Sequence, residues 1–306
     1  MLNIAARRAA LVAAVFGVVL ATGACGAHPT ASVGEPVILA APAPAATTPP
    51  SVVSTQPVPE PEPKPGASGA KPIDPGLLQN AAASVEPNTT LGAVVFDRLA
   101  GAELVALNAD RQFRSASLVK LLIAIDALNR GASASERDSL ARMLSLSDDN
   151  LASSFWVKGG RPDIIIRTVA LLGLTSTEPP ESPGKWGEVR ITAHDMLRVY
   201  QYVMDQLPPA DHTLIVDALA QAPQYAADGY DQHFGIADGL NLQWAIKQGW
   251  GNNSNAMVLH STGLVGQNWR YVVILLTEHP LGSGWQTCSS SVTAAAGALN
   301  GLLPGA

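Results

Sequence analysis

Residues 25–73 set the first limit on what this chain can fold into. The stretch "ILAAPAPAATTPPSVVSTQPVPEPEPKPGASGAKP" is rich in Pro, Ala, Ser and Thr and carries no aromatic residue. It cannot bury enough apolar surface to offset the entropy of ordering, so it reads as an extended tether. Folding is thereby confined to one domain, residues 74–306, of a chain that is 47% hydrophobic and 14% charged, enough for a sizeable core. The formal net charge of −6 and the scatter of Lys and Arg leave no basic face for phosphates, which argues against nucleic acid as a partner.

Before the tether, Arg7 and Arg8 precede an unbroken apolar run from Ala9 to Ala21, and Thr22-Gly23-Ala24 then leads into Cys25. Residues 1–24 read as an export signal, and the run is short for a spanning helix. The segment resembles a bacterial lipobox, with Thr22 where that motif prefers Leu, Val or Ile. The resemblance implies a lipid on Cys25 that holds the exported protein on the cell membrane, facing the envelope. A signal peptide cleaved nearby, releasing a soluble protein, is the alternative. Cys25 and Cys288 are the only cysteines, so no disulfide framework or thiol metal site can be built.

In the globular part, "DPGLLQNAAASVE" (Asp74 to Glu86) has a turn start and helical spacing, and Thr89 to Asn108 reads as two strands around a Gly-containing turn. A helix is expected from Ser117 to Leu128, and a largely helical middle from Arg137 to Leu219. Strand character returns in Leu242–Trp250, Ala256–Thr262 and Arg270–Thr277, followed by an Ala-rich helix over about Ser289–Leu303. Strands at both ends of a helical middle predict an α+β fold, one antiparallel sheet with helices against it.

Ser-x-x-Lys occurs three times: at Ser68–Lys71 in the tether, at Ser182–Lys185 beside Pro183 and Gly184, and at Ser117–Lys120. Only the last opens an apolar helical run. Positions i and i+3 share a helix face, so the Lys120 amine can reach the Ser117 hydroxyl and, desolvated among Leu118, Val119, Leu121 and Leu122, act as its base. The competing reading has Ser115 or Ser117 capping the helix while Lys120 extends to solvent.

Phe113-x-x-Ala116-Ser117-x-x-Lys120 resembles the nucleophile motif of the serine β-lactamases and penicillin-binding D,D-peptidases, whose further signatures are Ser-x-Asn and Lys-Thr-Gly in that order. "MLSLSDDNLASSFW" (Met143 to Trp156) is similar to the Ser-Asp-Asn segment, and "WAIKQGWG" (Trp244 to Gly251) to the Lys-Thr-Gly strand. Counting from Met143 selects Ser147, and counting back from "NLASSFW" selects Asn150; both stand as candidates. "GEVRITAHDML" (Gly187 to Leu197) looks like the helix start after the omega loop of β-lactamases. A lipobox and Pro-rich tether joined to such a domain also resemble the LppW-type alanine-rich envelope lipoproteins of actinobacteria.

The resemblance implies a β-lactamase/D,D-transpeptidase-like fold. The stretch between Lys120 and Ser147 is short for the family, which implies a reduced helical subdomain and an open cleft. It implies Ser117 as nucleophile, Lys120 as its base, Ser147 or Asn150 as proton relay or amide holder, and Lys247 as a cation across the cleft. The backbone N–H groups of Ser117 and Trp250 would form the oxyanion hole, with Gly249 letting substrate approach the strand edge. Gln248 and Trp250 replace the small or hydroxyl residues usual beside the substrate carboxylate. No Glu-x-x-Leu-Asn pattern occurs, and Glu178, Glu181 and Glu188 read as solvated loop charges, so an acyl-enzyme would be long-lived.

No cofactor and no metal are expected. His28, His194, His212, His233, His260 and His279 show no paired spacing, and no G-x-S-x-G, P-loop or G-x-G-x-x-G motif occurs. Two functions fit. One is an exported, membrane-tethered serine acyl-transfer hydrolase acting on a peptide, ester or lactam. The other is a β-lactamase-like domain without turnover that binds an envelope ligand or partner.

Overall fold

The structure is a computed structural model that describes residues 71–303. The export signal, Cys25, His28 and nearly all of the tether lie outside the described residues.

Helix α1 (Pro75–Val85) begins where Asp74 accepts a hydrogen bond from the Gly76 N–H and Pro75 supplies a first-turn residue needing no partner for its missing N–H. It leads into β1 (Thr90–Asp97), β2 (Ala102–Leu107) and the two-residue β3 (Phe113–Arg114). The helical middle is α2 (Val119–Asn129), α3 (Ala134–Ser145), α4 (Asp149–Lys158) and α5 (Asp163–Leu172). After a loop come β4 (Arg190–Ile191), α6 (Ala193–Asp205), α7 (Pro209–Ala220) and the single turn α8 (Ile236–Gly239). The chain then forms β5 (Trp244–Asn252), β6 (Met257–Val265), β7 (Tyr271–His279) and α9 (Trp285–Gly297).

The sheet is antiparallel throughout, in the order β2-β1-β7-β6-β5. Helices cover both faces. Val94, Val272, Ile274 and Leu276 face a core shared with α2 and α6, while Ala93, Val95, Val273 and Leu275 face Leu78, Ala82 and the buried side of α9. Because both faces are dry, "YVVILLT" in β7 is an unbroken apolar run rather than the alternation of a half-solvated strand.

The expected α+β arrangement is the observed one, and three details differ. Ser117 does not begin the α-helix: Ala116–Leu118 form a 3₁₀ turn and α2 starts at Val119, a common tightening at a helix start. The helical middle is broken by the loop 173–192, where Gly173 ends α5 in the left-handed conformation (φ +64°). The last helix starts earlier than expected, at Trp285 behind Gly284. Between Lys120 and Ser147 the chain forms only the remainder of α2 and α3, the short helical subdomain that the spacing implied.

Helix α2 is buried on every side from Val119 to Asp126, as befits a helix at the centre of a fold. Its one buried acid, Asp126, is matched by Arg167 through Nε at 2.7 Å and Nη2 at 2.9 Å.

Candidate active site

The nucleophile candidate sits where three elements converge. Strand β3 pairs with β4, Phe113 opposite Ile191 and Arg114 opposite Arg190, and the Ser115 N–H donates to Val189 O at 2.7 Å. These bonds fix the turn 115–118 against the end of the loop 173–192. From behind, His260 Nε2–H donates to the Arg114 carbonyl at 2.7 Å while its Nδ1 accepts from the Thr277 N–H at 3.1 Å. Burial holds this imidazole down, at about 4, so it is a neutral brace for β3.

Ala116, just before Ser117, has φ +43°, and Ser147 has φ +52°. Neither residue is glycine, so each conformation costs on the order of 1 kcal/mol or more and persists only where packing enforces it. Ala116 lines the cleft, and Ser147 is buried behind it on the two lysines. Strand β5 closes the third side. A Cβ on Gly249 would stand 3.0 Å from the Ser115 carbonyl oxygen and 3.3 Å from the Ser117 nitrogen. Only glycine lets the strand lie this close to the nucleophile turn.

Lys120 Nζ is the hub. It lies 2.7 Å from Ser117 Oγ, 2.7 Å from the Ser147 carbonyl oxygen, 3.2 Å from Ser147 Oγ and 2.6 Å from Asp149 Oδ1. Its ammonium also sits 5.0 Å from the centre of the Trp186 ring. Lys247 Nζ reaches the same Ser147 hydroxyl at 2.9 Å and donates to the Gln248 carbonyl at 2.9 Å. The two lysines are 0% and 1% exposed.

Burial pushes the Lys120 amine below its ordinary value, against the pull of Asp149 in the other direction. Burial also holds Lys247 well below, and the neighbouring Lys120 charge adds to the effect. Two amines around one hydroxyl cannot both be charged cheaply, and of the two Lys120 is the one paired with Asp149. An uncharged Lys120 would give its two hydrogens to Ser147 O and Asp149, leaving its lone pair for the Ser117 hydroxyl.

Of the candidates named from sequence, Ser117, Lys120, Ser147, Lys247 and Gly249 are brought together. Asn150 is not: its side chain is exposed on α4, where its N–H and carbonyl make only local bonds to Asp148 and Ser154. Gln248 is a correction too. It is 1% exposed, its Nε2–H donates to the Phe234 carbonyl at 2.5 Å, and its side chain does not line the cleft. Its Oε1 is buried without a hydrogen-bond partner. Trp250 does line the cleft, with its ring stacked on Tyr230 (4.9 Å, 21°) and its Nε1–H donating to Asp228 Oδ2 at 3.1 Å.

Sequence reasoning missed Asp149, Asp228 and Trp186. Asp149 was recoverable: counted from Ser147, the third position of Ser-x-Asn is Asp149. Glu178 and Glu181 are exposed loop charges, whereas Glu188 lines the cleft and accepts from Arg114 Nη1 at 3.1 Å. The cleft encloses about 380 Å³ among Ser117, Asp149, Trp186, Glu188, Asp228 and Trp250. A larger depression of about 570 Å³, behind Tyr230 and against α9, contains none of the serine or lysine candidates. Among the described residues, no group of His, Cys, Asp and Glu is placed to hold a metal ion, and no helix is long and apolar enough to cross a membrane.

No family model matches the chain. It is 35% identical over 202 residues to proteins named "Putative lipoprotein LppW" in Mycobacterium bovis and Mycobacterium tuberculosis; the match spans 62% of this chain and 64% of those relatives. Solved structures with the same fold include a β-lactamase from Sphaerobacter thermophilus (22% identity, TM-score 0.55, covering 76% of this chain and 100% of that one). An ancestral class A β-lactamase (15%, 0.57, 74% and 98%) and PBP-A (18%, 0.56, 75% and 97%) share it. The globular part therefore has the β-lactamase and penicillin-binding-protein fold, on a chain similar in sequence to LppW.

Proposed function

We propose that this LppW-like chain with the β-lactamase fold is a serine acyl-transfer enzyme of the cell envelope, exported and held on the membrane by a lipid on Cys25, acting on a peptide, ester or lactam. The domain limits read from the sequence (signal 1–24, tether 25–73, folded domain from 74) and the lipoprotein name of its relatives support the location. The observation that carries the chemistry is the 2.7 Å approach of a buried lysine amine to Ser117 Oγ at the floor of an open cleft.

The steps follow from the groups present. Ser117 Oγ–H gives its proton to uncharged Lys120 Nζ as Oγ bonds to the substrate carbonyl carbon. The carbonyl electrons move onto oxygen, which the N–H groups of Ser117 and Trp250 stabilise from the 3₁₀ turn before α2 and from β5. Collapse breaks the bond to the leaving group, which takes the Ser147 hydroxyl proton, and Lys120, 3.2 Å from Ser147 Oγ, passes the proton it took from Ser117 to Ser147 and is uncharged again. Water then releases the acyl group. That last step lacks the deacylating glutamate that class A β-lactamases carry in Glu-x-x-Leu-Asn, and Trp186 stands over Lys120, so deacylation is slow and the acyl-enzyme accumulates.

A second reading, a binding protein without turnover, draws on the Lys120–Asp149 pair at 2.6 Å, since a lysine held charged is no base. Intact-mass measurement after exposure to a fluorophosphonate and to a fluorescent penicillin separates the two. A stoichiometric adduct on wild type that is lost in both Ser117→Ala and Lys120→Ala supports acyl transfer. A wild type unlabelled by every acylating probe leaves the binding reading.

A further inference from the structure

We infer that the cleft selects acyl donors bearing an organic cation, with Asp149 and Asp228 as its specificity residues; this rests on the acyl-transfer reading of the same site.

Asp149 stands on the cleft wall with its side chain 65% exposed, and Lys120 occupies only its Oδ1. Asp228 lines the same wall, held by the Tyr230 N–H at 2.9 Å and the Trp250 Nε1–H at 3.1 Å. Those bonds come from neutral donors, so the Asp228 charge has no cationic side chain bonded to it. Two indoles, Trp186 and Trp250, border the opening with these carboxylates. Carboxylates beside indole rings are the chemistry that recognises ammonium and guanidinium groups.

The cations at the rim do not cancel this. Arg114 is buried and committed to Glu188 at 3.1 Å and to the Ala256 carbonyl at 3.1 Å. Lys185 also lines the cleft, but it is exposed on the loop, where solvent screens its charge. Gln248, where the family has a small or hydroxyl residue beside the substrate carboxylate, is turned into the protein. The anion side of the cleft is thus dismantled, while a cation side has been built.

Charge balance joins specificity to chemistry. To act as base, Lys120 must be uncharged, which leaves Asp149 without a counter-ion next to Asp228. A substrate cation arriving at Asp149 replaces the lysine's charge and disfavours the lysine's proton at the same moment. An anionic substrate does the reverse.

The test uses the full chain and two thioesters, Nα-acetyl-lysine thiobenzyl ester and its Nε-acetylated, uncharged counterpart. We expect wild type to be acylated at least tenfold faster by the charged ester, and Asp149→Asn and Asp228→Asn each to reduce that ratio severalfold, with thermal melting confirming that each variant is folded. Labelling of Ser117 by a fluorophosphonate together with equal acylation rates for the two esters, or an unchanged ratio in both variants, overturns the inference and leaves the acyl-transfer reading intact. If no probe acylates Ser117, the acyl-transfer reading fails. Equilibrium binding of the corresponding non-hydrolysable amides, followed by tryptophan fluorescence, then decides the cation preference. Tenfold tighter binding of the charged amide upholds it, and equal or absent binding overturns it.

Discussion

Gly249 offers a sharp test of the site's geometry. A methyl group added there stands 3.0 Å from the Ser115 carbonyl oxygen, 0.4 Å inside the 3.4 Å at which ordinary contact begins, and 3.3 Å from the Ser117 nitrogen. Both neighbours are backbone atoms, so neither swings aside as a long side chain would. If the turn holds, the overlap costs about 1–3 kcal/mol of stability. If the turn retreats, the Ser117 and Trp250 N–H groups separate by a few tenths of an ångström, and oxyanion stabilisation falls by about tenfold or more in rate. Gly251, two residues along the same strand, has nothing within 4 Å of its added methyl and no positive φ. Gly249→Ala should therefore lose stability in urea unfolding, labelling rate with a fluorophosphonate, or both, while Gly251→Ala changes neither by more than about 0.5 kcal/mol or twofold. Identical behaviour of the two variants in both assays would refute the close approach of β5 to the nucleophile turn.

Two further outcomes are expected. Burial holds both His260 and His279 at about 4 in the folded protein, below the 6.5 of an unfolded imidazole. As pH falls from 6.5 to about 4 the unfolded chain gains protons that the folded chain refuses, so stability drops by a few kcal/mol. Urea midpoints at pH 7 and 4.5 that coincide would contradict this. Trp156, buried under the loop 173–192, donates its indole N–H to the Pro183 carbonyl at 2.7 Å. Trp156→Phe keeps an aromatic ring but removes that bond and leaves a gap where the buried indole packs, and should cost about 1–3 kcal/mol and accelerate amide exchange between residues 176 and 189; exchange at the wild-type rate would argue against the anchor.

The sheet was readable because its strands are continuous apolar runs bounded by turns, and because each end of the chain supplies part of it. Ser117, Lys120 and Lys247 were readable because their motifs keep family order, which is independent of precise spacing. The rest depended on features that leave no trace in composition. The two-residue strands β3 and β4 are too short to show a period, yet they position the turn that carries Ser117. Ser147 lies against the two lysines while Asn150 is exposed on α4, a placement that follows a backbone turn with φ +52° at Ser147 and that no side-chain pattern announces. Gln248 reads as a cleft residue from its place after Lys247, and only the packing of Phe234 against β5 reveals where its amide goes.

The register of the sheet has a consequence for the order of assembly. Thr90 pairs with Glu278 and Asp97 with Tyr271, so β1 finds its inner neighbour only when nearly the whole domain is available. The side chain of Ser291 in α9 donates to the carbonyl of Ala82 in α1, fastening the first helix to the last. Pairings of this sequence separation carry a large loop-closure cost and slow the search for the native state. Until β7 arrives, the hairpin of β1 and β2 keeps an open edge along β1, and the sheet cannot close.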